Sequence, residues 1–167
     1  MAPTDDGWQE RHWKTIVHEY RRAPHFEWCR SFLEPVYLGQ RWTSLSELNQ
    51  HIIRRVAAGM LGIATRFDDS RNHPGATGTA QERLLALLKA VGANRYLSGP
   101  AAKAYIDPAL FEQHGVAVEW MGYGPYPEYE QFHPPFVHQV SVVDPLMHLG
   151  PSARRWILPA EAGALRP

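Results

Sequence analysis

The strand–helix–strand order between residues 95 and 122 constrains the fold of this chain most. Two short apolar segments, "RYLSG" at 95–99 and "VAVEWMG" at 116–122, flank "PAAKAYIDPALFEQHG", which carries one or two short helical patterns. A strand that returns through such a crossover to a second strand is almost always right-handed and gives a parallel pair. We therefore predict that the two segments are parallel neighbours in one sheet, or are separated by a single strand.

Helical patterns dominate the residues before this unit. The first sixty residues predict three helices, of which the clearest opens at Thr43 or Ser44, has Glu47 in a capping box and ends at Gly62. A further helix is predicted in "GTAQERLLALLKAVGA", capped by Thr79. The fold class we expect is α/β, with a helical N-terminal layer packed on a small, mostly parallel sheet with crossover helices. Short strands are also predicted at "IATRF" (63–67) and "VHQVSVV" (137–143).

Length and charge limit the function. The chain has 167 residues, enough for one core, and we expect a single domain over 7–156 with a loose tail over 157–167. Seventeen basic and seventeen acidic side chains give no net charge, so nucleic acid and anionic membranes are not expected partners. With no long apolar run or signal pattern, a cytoplasmic protein is expected. The single Cys29 excludes a cysteine-rich zinc site and is expected to be buried.

The chain has nine histidines, which could bind a metal ion, but their spacing does not favour a metal site. His12 and His18 are six apart and face different sides of a helix, whereas helical metal pairs are three or four apart. Pro134 and Pro135 prevent a helix between His133 and His138. We therefore expect no metal and no cofactor. His12 is either a histidine at the edge of the core or a general base facing a pocket.

Two segments carry candidate site residues. Ser98 and Gly99 follow the first predicted strand, where α/β sheets place ligands, although an ordinary turn explains them equally simply. The aromatic loop "GYGPYPEYEQFHPPF" either seals an edge of the core or lines a pocket. In the second case five residues would converge on one cleft, with His133 as the proton acceptor: Ser98, Tyr105, Tyr129, Gln131 and His133. Asp144 is predicted to cap a helix over "DPLMHLG", with Pro145 at its first position.

The segment from residue 92 onward resembles the WbqC family. The residues that carry the resemblance are "YLSG", the turn Tyr105–Asp107 and the block from Ser141 to Asp144, and weaker collinear matches extend it over roughly residues 7 to 156. Two departures stand out. Family members usually begin with a segment that contains a His-Gln-Pro motif, for which this sequence has no counterpart. They also usually carry an Asp-Leu-Leu-Phe-Asn-x-Gly signature, where this chain has "DPLMHLG" with His148 at the Asn position.

The resemblance implies a biosynthetic role without fixing a substrate. It implies at most a metal-independent transferase that moves an acyl or aminoacyl group to an amine of a small metabolite or sugar, in a natural-product or polysaccharide pathway. In that case His12 or His133 would be the catalytic base, and Ser98, Gly99 and Gln131 would position the substrate. The alternative is a non-catalytic subunit that binds a metabolite or a partner protein, the partner supplying the His-Gln-Pro segment.

Overall fold

The structure, a computed structural model, describes residues 7–124 and 126–158. These described residues form two compact units: the first contains residues 7–65 and 126–158, and the second contains residues 66–124. Seven α-helices and two strands lie in the described residues: α1 (Trp8–Tyr20), α2 (Phe26–Leu38), α3 (Leu45–Arg54), α4 (Ala80–Ala90), β1 (Arg95–Ser98), α5 (Pro108–Gln113), β2 (Ala117–Trp120), α6 (Val143–Leu149) and α7 (Arg154–Ile157).

The first unit is helical and contains both end segments of the described chain. Helices α1, α2 and α6 share a core whose buried members include Trp13, Cys29, Leu33, Leu146 and Met147. As predicted, Cys29 is buried, and burial raises the pKa of its thiol to about 12, so it is not a nucleophile near neutral pH.

The helical segment that starts with α3 begins and ends where the sequence predicts, at Ser44 and Gly62. The Ser44 hydroxyl accepts a hydrogen bond from the Glu47 amide at 3.4 Å, and the helix continues as a π-helix, Arg55–Met60. Gly62, at φ +61°, ends the helical segment in the left-handed region that favours glycine. The Arg154 guanidinium donates to the carbonyl oxygens of Leu61 and Gly62, both at 2.6 Å, and so fixes α7 to this turn.

The second unit contains the predicted parallel pair. Strands β1 and β2 are hydrogen-bonded in parallel, with Arg95 opposite Ala117 and Ser98 opposite Trp120, which confirms the crossover prediction and the α/β class. The core of this unit joins α4, α5 and the strands around Phe111, which is fully buried and stacks on Tyr96. Helix α4 is capped by Thr79, whose amide donates to the Glu82 carboxylate at 3.0 Å.

Two predicted strands are wrong. Residues 63–67 and 137–142 form no strand, and α6 already begins at Val143. In the second segment the Val137 amide donates to the side chain of Gln131 at 2.9 Å, where a strand would need a backbone partner. The alternation of valines therefore does not reflect a sheet. Val140 and Val142 instead line cavities described below.

The predicted boundaries are only partly covered by the described residues. The single domain over 7–156 stays a prediction beside the two compact units. Of the predicted tail 157–167, Ile157 ends α7 and packs against the helical core, whereas residues 159–167 lie outside the described part of the chain. No helix in that described part is long and apolar enough to cross a membrane.

The packing of the second unit depends on Phe111, so we expect Phe111→Ala to lower the free energy of unfolding by about 3–5 kcal/mol, the usual cost of emptying a buried aromatic site. Leu97→Ala, in β1 at 49% exposure, should change it by less than about 0.5 kcal/mol. Denaturant titration of both variants is the measurement. Equal effects would contradict the assignment of Phe111 to the core.

Candidate functional site

The carboxylate of Asp144 is the centre of the candidate site, because three side chains from two other segments of the chain donate hydrogen bonds to it. The Tyr20 hydroxyl, at the end of α1, donates to Oδ2 at 3.1 Å. From the loop before α6, the Tyr129 hydroxyl donates to Oδ1 at 2.5 Å and the Gln131 amide nitrogen donates to the same oxygen at 3.1 Å. Asp144 is 8% exposed, so these donors replace water around a charge that would be costly to bury alone.

The predicted capping role of Asp144 is wrong. Helix α6 begins one residue earlier, at Val143, with Val142 at the N-cap and no side-chain cap hydrogen bond. Asp144 thus lies inside the first turn, and its carboxylate bonds to Tyr20, Tyr129 and Gln131. An Asp-Pro pair at the start of a helix looks the same in the sequence whether the aspartate caps the helix or lies in its first turn. The difference here comes from hydrogen-bond donors that are distant in the chain.

Both tyrosines at this carboxylate are held in their protonated form. Burial raises the pKa of Tyr20 well above its usual value, and the negative charge of Asp144 raises it further. The pKa of Tyr129 is raised by the same two causes, burial first. Each hydroxyl therefore keeps its proton across the neutral range and remains a hydrogen-bond donor.

His148 lies beside the carboxylate on the next turn of α6. Its Nε2 is 3.9 Å from Oδ2 of Asp144, and its side chain is 6% exposed. The ring lies 4.6 Å from the ring of Phe132, and the rings of Tyr129 and Tyr20 are 6.1 and 6.3 Å away. An imidazole with a carboxylate beside it can accept a proton, because the carboxylate stabilises the positive charge that forms.

A cavity of about 530 Å³ opens at this pair. Its lining includes Asp144, His148, Gln131 and His133, together with Arg21 and Arg22 at the end of α1. The Arg22 guanidinium lies 5.9 Å from the centre of the Phe132 ring. The cavity thus joins a potential proton acceptor to two permanent cations, with Glu19 as a further acidic side chain in its lining. The two guanidinium groups suit a substrate with an anionic group.

Two of the predicted site residues, Tyr129 and Gln131, meet at Asp144, and His133 lines the same cavity as Gln131. Gln131 uses both ends of its amide within the protein. Its nitrogen also donates to the Val137 carbonyl at 3.1 Å, and its oxygen accepts from the Val137 amide at 2.9 Å. It therefore closes the loop that carries His133, which makes it a positioning residue.

The other predicted residues lie elsewhere. Ser98 ends β1, buried, with its hydroxyl 3.4 Å from the Tyr96 hydroxyl, and Gly99 follows it in extended backbone. Tyr105 is exposed in the same unit. Their convergence with the residues around Asp144 stays a prediction, since the two sets belong to different units. His12, on α1, is exposed and its ring contacts those of Trp8 and Tyr37.

Sequence reasoning did not identify Tyr20 or His148 as members of this site. The spacing of Asp144 and His148, four residues apart on a predicted helix, was the available signal for the pair. Tyr20 had no such signal, because it lies 124 residues before Asp144 in the chain and reaches it only through the packing of α1.

The fold and the site define a small α/β protein with a buried carboxylate–histidine pair at a polar cavity. The chain belongs to the WbqC-like protein family, whose sequence profile matches residues 2–156. It is 34% identical over 146 residues to the uncharacterized protein Rv1507c of Mycobacterium tuberculosis. That match covers 87% of this chain and 62% of the relative, so the chain spans less than two thirds of the relative's length. No solved structure matches the chain.

The hydrogen bonds to Asp144 are expected to be coupled. Tyr20→Phe and Tyr129→Phe should each lower the free energy of unfolding by about 1–2 kcal/mol, since each removes one hydrogen bond to a buried charge. In an Asp144→Asn background, the same two substitutions should lower the free energy of unfolding by a smaller amount. A double-mutant cycle from denaturant titrations measures this, with exposed Tyr105→Phe as the control. Additive effects would show that the carboxylate is not the shared partner.

The raised tyrosine pKa values predict a loss of stability at alkaline pH. Above about pH 10, tyrosine in the unfolded chain loses its proton while Tyr20 and Tyr129 in the folded chain keep theirs. The folded state then binds more protons than the unfolded state, so stability falls as pH rises. Melting temperatures between pH 9 and 11 should fall less steeply in the Tyr20→Phe/Tyr129→Phe variant, in which Cys29 and Tyr37 remain as contributors of the same sign. An unchanged slope would contradict the assignment.

Proposed function

We propose that the protein is a biosynthetic transferase that moves an acyl or aminoacyl group to an amine of a small metabolite or sugar. The observation that carries the proposal is the buried pair of Asp144 and His148 at a cavity large enough for a metabolite. Acyl transfer to an amine needs a base beside the nucleophile, and an imidazole supported by a carboxylate is the commonest one.

In the proposed step the amine nitrogen attacks the acyl carbonyl carbon. A carbon–nitrogen bond forms, the bond to the leaving group breaks, and the amine proton passes to His148 and then to the leaving group. Asp144 stabilises the imidazolium that forms between these events. His133 lines the same cavity from the loop side and is the second candidate base, as the sequence predicted.

The two arginines support an anionic group on the donor or acceptor. Arg21 and Arg22 follow directly after Tyr20, so the residue that holds Asp144 also fixes where these cations lie. A guanidinium binds carboxylate or phosphate in a two-point geometry that a single point charge does not give. Activated acyl and aminoacyl donors commonly carry such a group, which is why the cavity suits them.

A second candidate is binding without catalysis, as a subunit completed by a partner protein. The chain spans less than two thirds of the matched relative's length, so an activity of the whole relative can depend on residues outside the shared region. The test is to add the His-Gln-Pro segment of a family member as a separate chain. Transfer or ligand binding that requires this addition would support the second candidate, and full activity without it would remove the need for it.

His148→Gln is expected to lower the transfer rate by about 100-fold or more, the usual contribution of a general base. The assay is mass-spectrometric detection of amides formed from acyl and aminoacyl thioesters or adenylates with aliphatic amines and amino sugars. His133→Gln and His12→Gln test the two sequence-predicted bases. His51→Gln, on α3 beside Trp42, is the matched control and should retain the full rate.

The outcomes separate the candidates. A rate lost only in His12→Gln would move the catalytic base to the exposed face of α1. Wild-type rates in all four variants would remove histidine base catalysis, and the absence of any amide product over the whole panel would leave binding as the function.

A further inference from the structure

We infer that a second, smaller cavity beside Asp144 is a subsite for an uncharged apolar group about the size of a phenyl ring. This inference rests on the proposed function only where it assigns that group to the transferred acyl or aminoacyl moiety. The cavity has a volume of about 210 Å³ and is lined by residues of the aromatic loop, α6 and α7.

Three rings shape the cavity. Tyr129 lies nearly perpendicular to Phe136, at 85° with centroids 5.0 Å apart, and nearly perpendicular to Trp156, at 79° and 6.3 Å. The three side chains come from the loop and from α7, and all three line the cavity. Rings set at right angles offer both faces and edges to a ligand, which favours a flat or branched apolar group.

The lining identifies the kind of ligand. Among the described residues it has no aspartate, glutamate, lysine or arginine, and its polar atoms come from His138, Ser141 and the tyrosines. Aromatic rings also attract cations, but a cation site gains most from a carboxylate in its wall, which this lining lacks. An uncharged group therefore fits the cavity better than an ammonium group.

The volume sets the size of the group. An apolar cavity of about 150 Å³ is enough to hold benzene in a protein interior, so 210 Å³ accommodates a phenyl ring with a short linker or a short branched acyl chain. Val142 lines the cavity and is 36% exposed, so the lining is open to solvent at this side chain.

Tyr129 connects this cavity to the polar one. Its ring is a wall of the apolar cavity, and its hydroxyl donates to the Asp144 carboxylate, which lines the polar cavity. Val140 lines both cavities. A ligand whose apolar end occupies the smaller cavity would thus place its polar end near Asp144 and His148, where the proposed transfer occurs.

The test uses three neutral amides as probes, acetamide, hexanamide and phenylacetamide, in ¹H–¹⁵N NMR titrations of the full chain. Phenylacetamide and hexanamide should bind at least about tenfold more tightly than acetamide, because only they bury apolar surface in the cavity. The Trp156 indole N–H signal should shift on binding. Tetramethylammonium is the competing probe, and tighter binding of it than of phenylacetamide would overturn the inference.

Val142→Phe adds a ring to the cavity lining, takes up room there and should weaken phenylacetamide binding at least about tenfold. Ile53→Phe is the matched control, since it adds the same ring on α3 at a side chain that is 54% exposed and lines neither cavity. Melting temperatures check folding, and Trp156→Leu, which removes a wall, should weaken binding independently. Unchanged affinity for phenylacetamide in both Val142→Phe and Trp156→Leu would show that this cavity is not the binding site for the apolar group.

The binding test is separate from catalysis. His51→Gln, on α3 beside Trp42 and outside both linings, should bind phenylacetamide as the wild type does. If the amides bind as expected but no donor is ever transferred, the subsite stands and the proposed reaction falls. If transfer occurs with equal efficiency for acetyl and phenylacetyl donors in wild type and Val142→Phe, the reaction stands and the subsite falls.

Discussion

The helical unit depends on one buried carboxylate that several distant segments must share. Asp144 on α6 is reached by Tyr20 from α1 and by Tyr129 and Gln131 from the aromatic loop. A carboxylate at 8% exposure is tolerated only when its lone pairs are satisfied, so these donors are a condition of the fold as well as of the site. In its described residues the loop has no strand or helix, and these hydrogen bonds hold it in place of a strand ladder.

The same arrangement gives the site its chemistry. Tyr129 and Gln131 hold Oδ1 of the carboxylate, and Oδ2, which accepts from Tyr20, is also the oxygen nearest His148 in the polar cavity. A site whose groups are already held in place loses little free energy to reorganisation when a substrate binds. The positions of Arg21 and Arg22 follow from the same contact, since they come directly after Tyr20.

Local signals in the sequence predicted the regular elements well. The parallel pair β1–β2, the cap at Ser44 and the cap at Thr79 all follow from residues within a few positions of one another. The valines at 137–143 misled for the same reason, because alternation is a local pattern and cannot report that Gln131 takes the place of a neighbouring strand. The site depends on contacts such as Tyr20 to Asp144, which only tertiary packing creates. Sequence analysis therefore named Tyr129, Gln131 and His133 of the loop as candidates, which stay predictions, and did not name Tyr20 or His148 on the helices.

Val140 lines both cavities. A change in the size of this side chain is therefore one way in which the site could differ among homologues. A smaller residue there would widen both cavities at this side chain, and a larger one would narrow both. The carboxylate, the imidazole and the arginines would stay the same. The size of residue 140 would therefore change the room for the apolar and polar parts of a ligand together, while the charged groups that face it are kept.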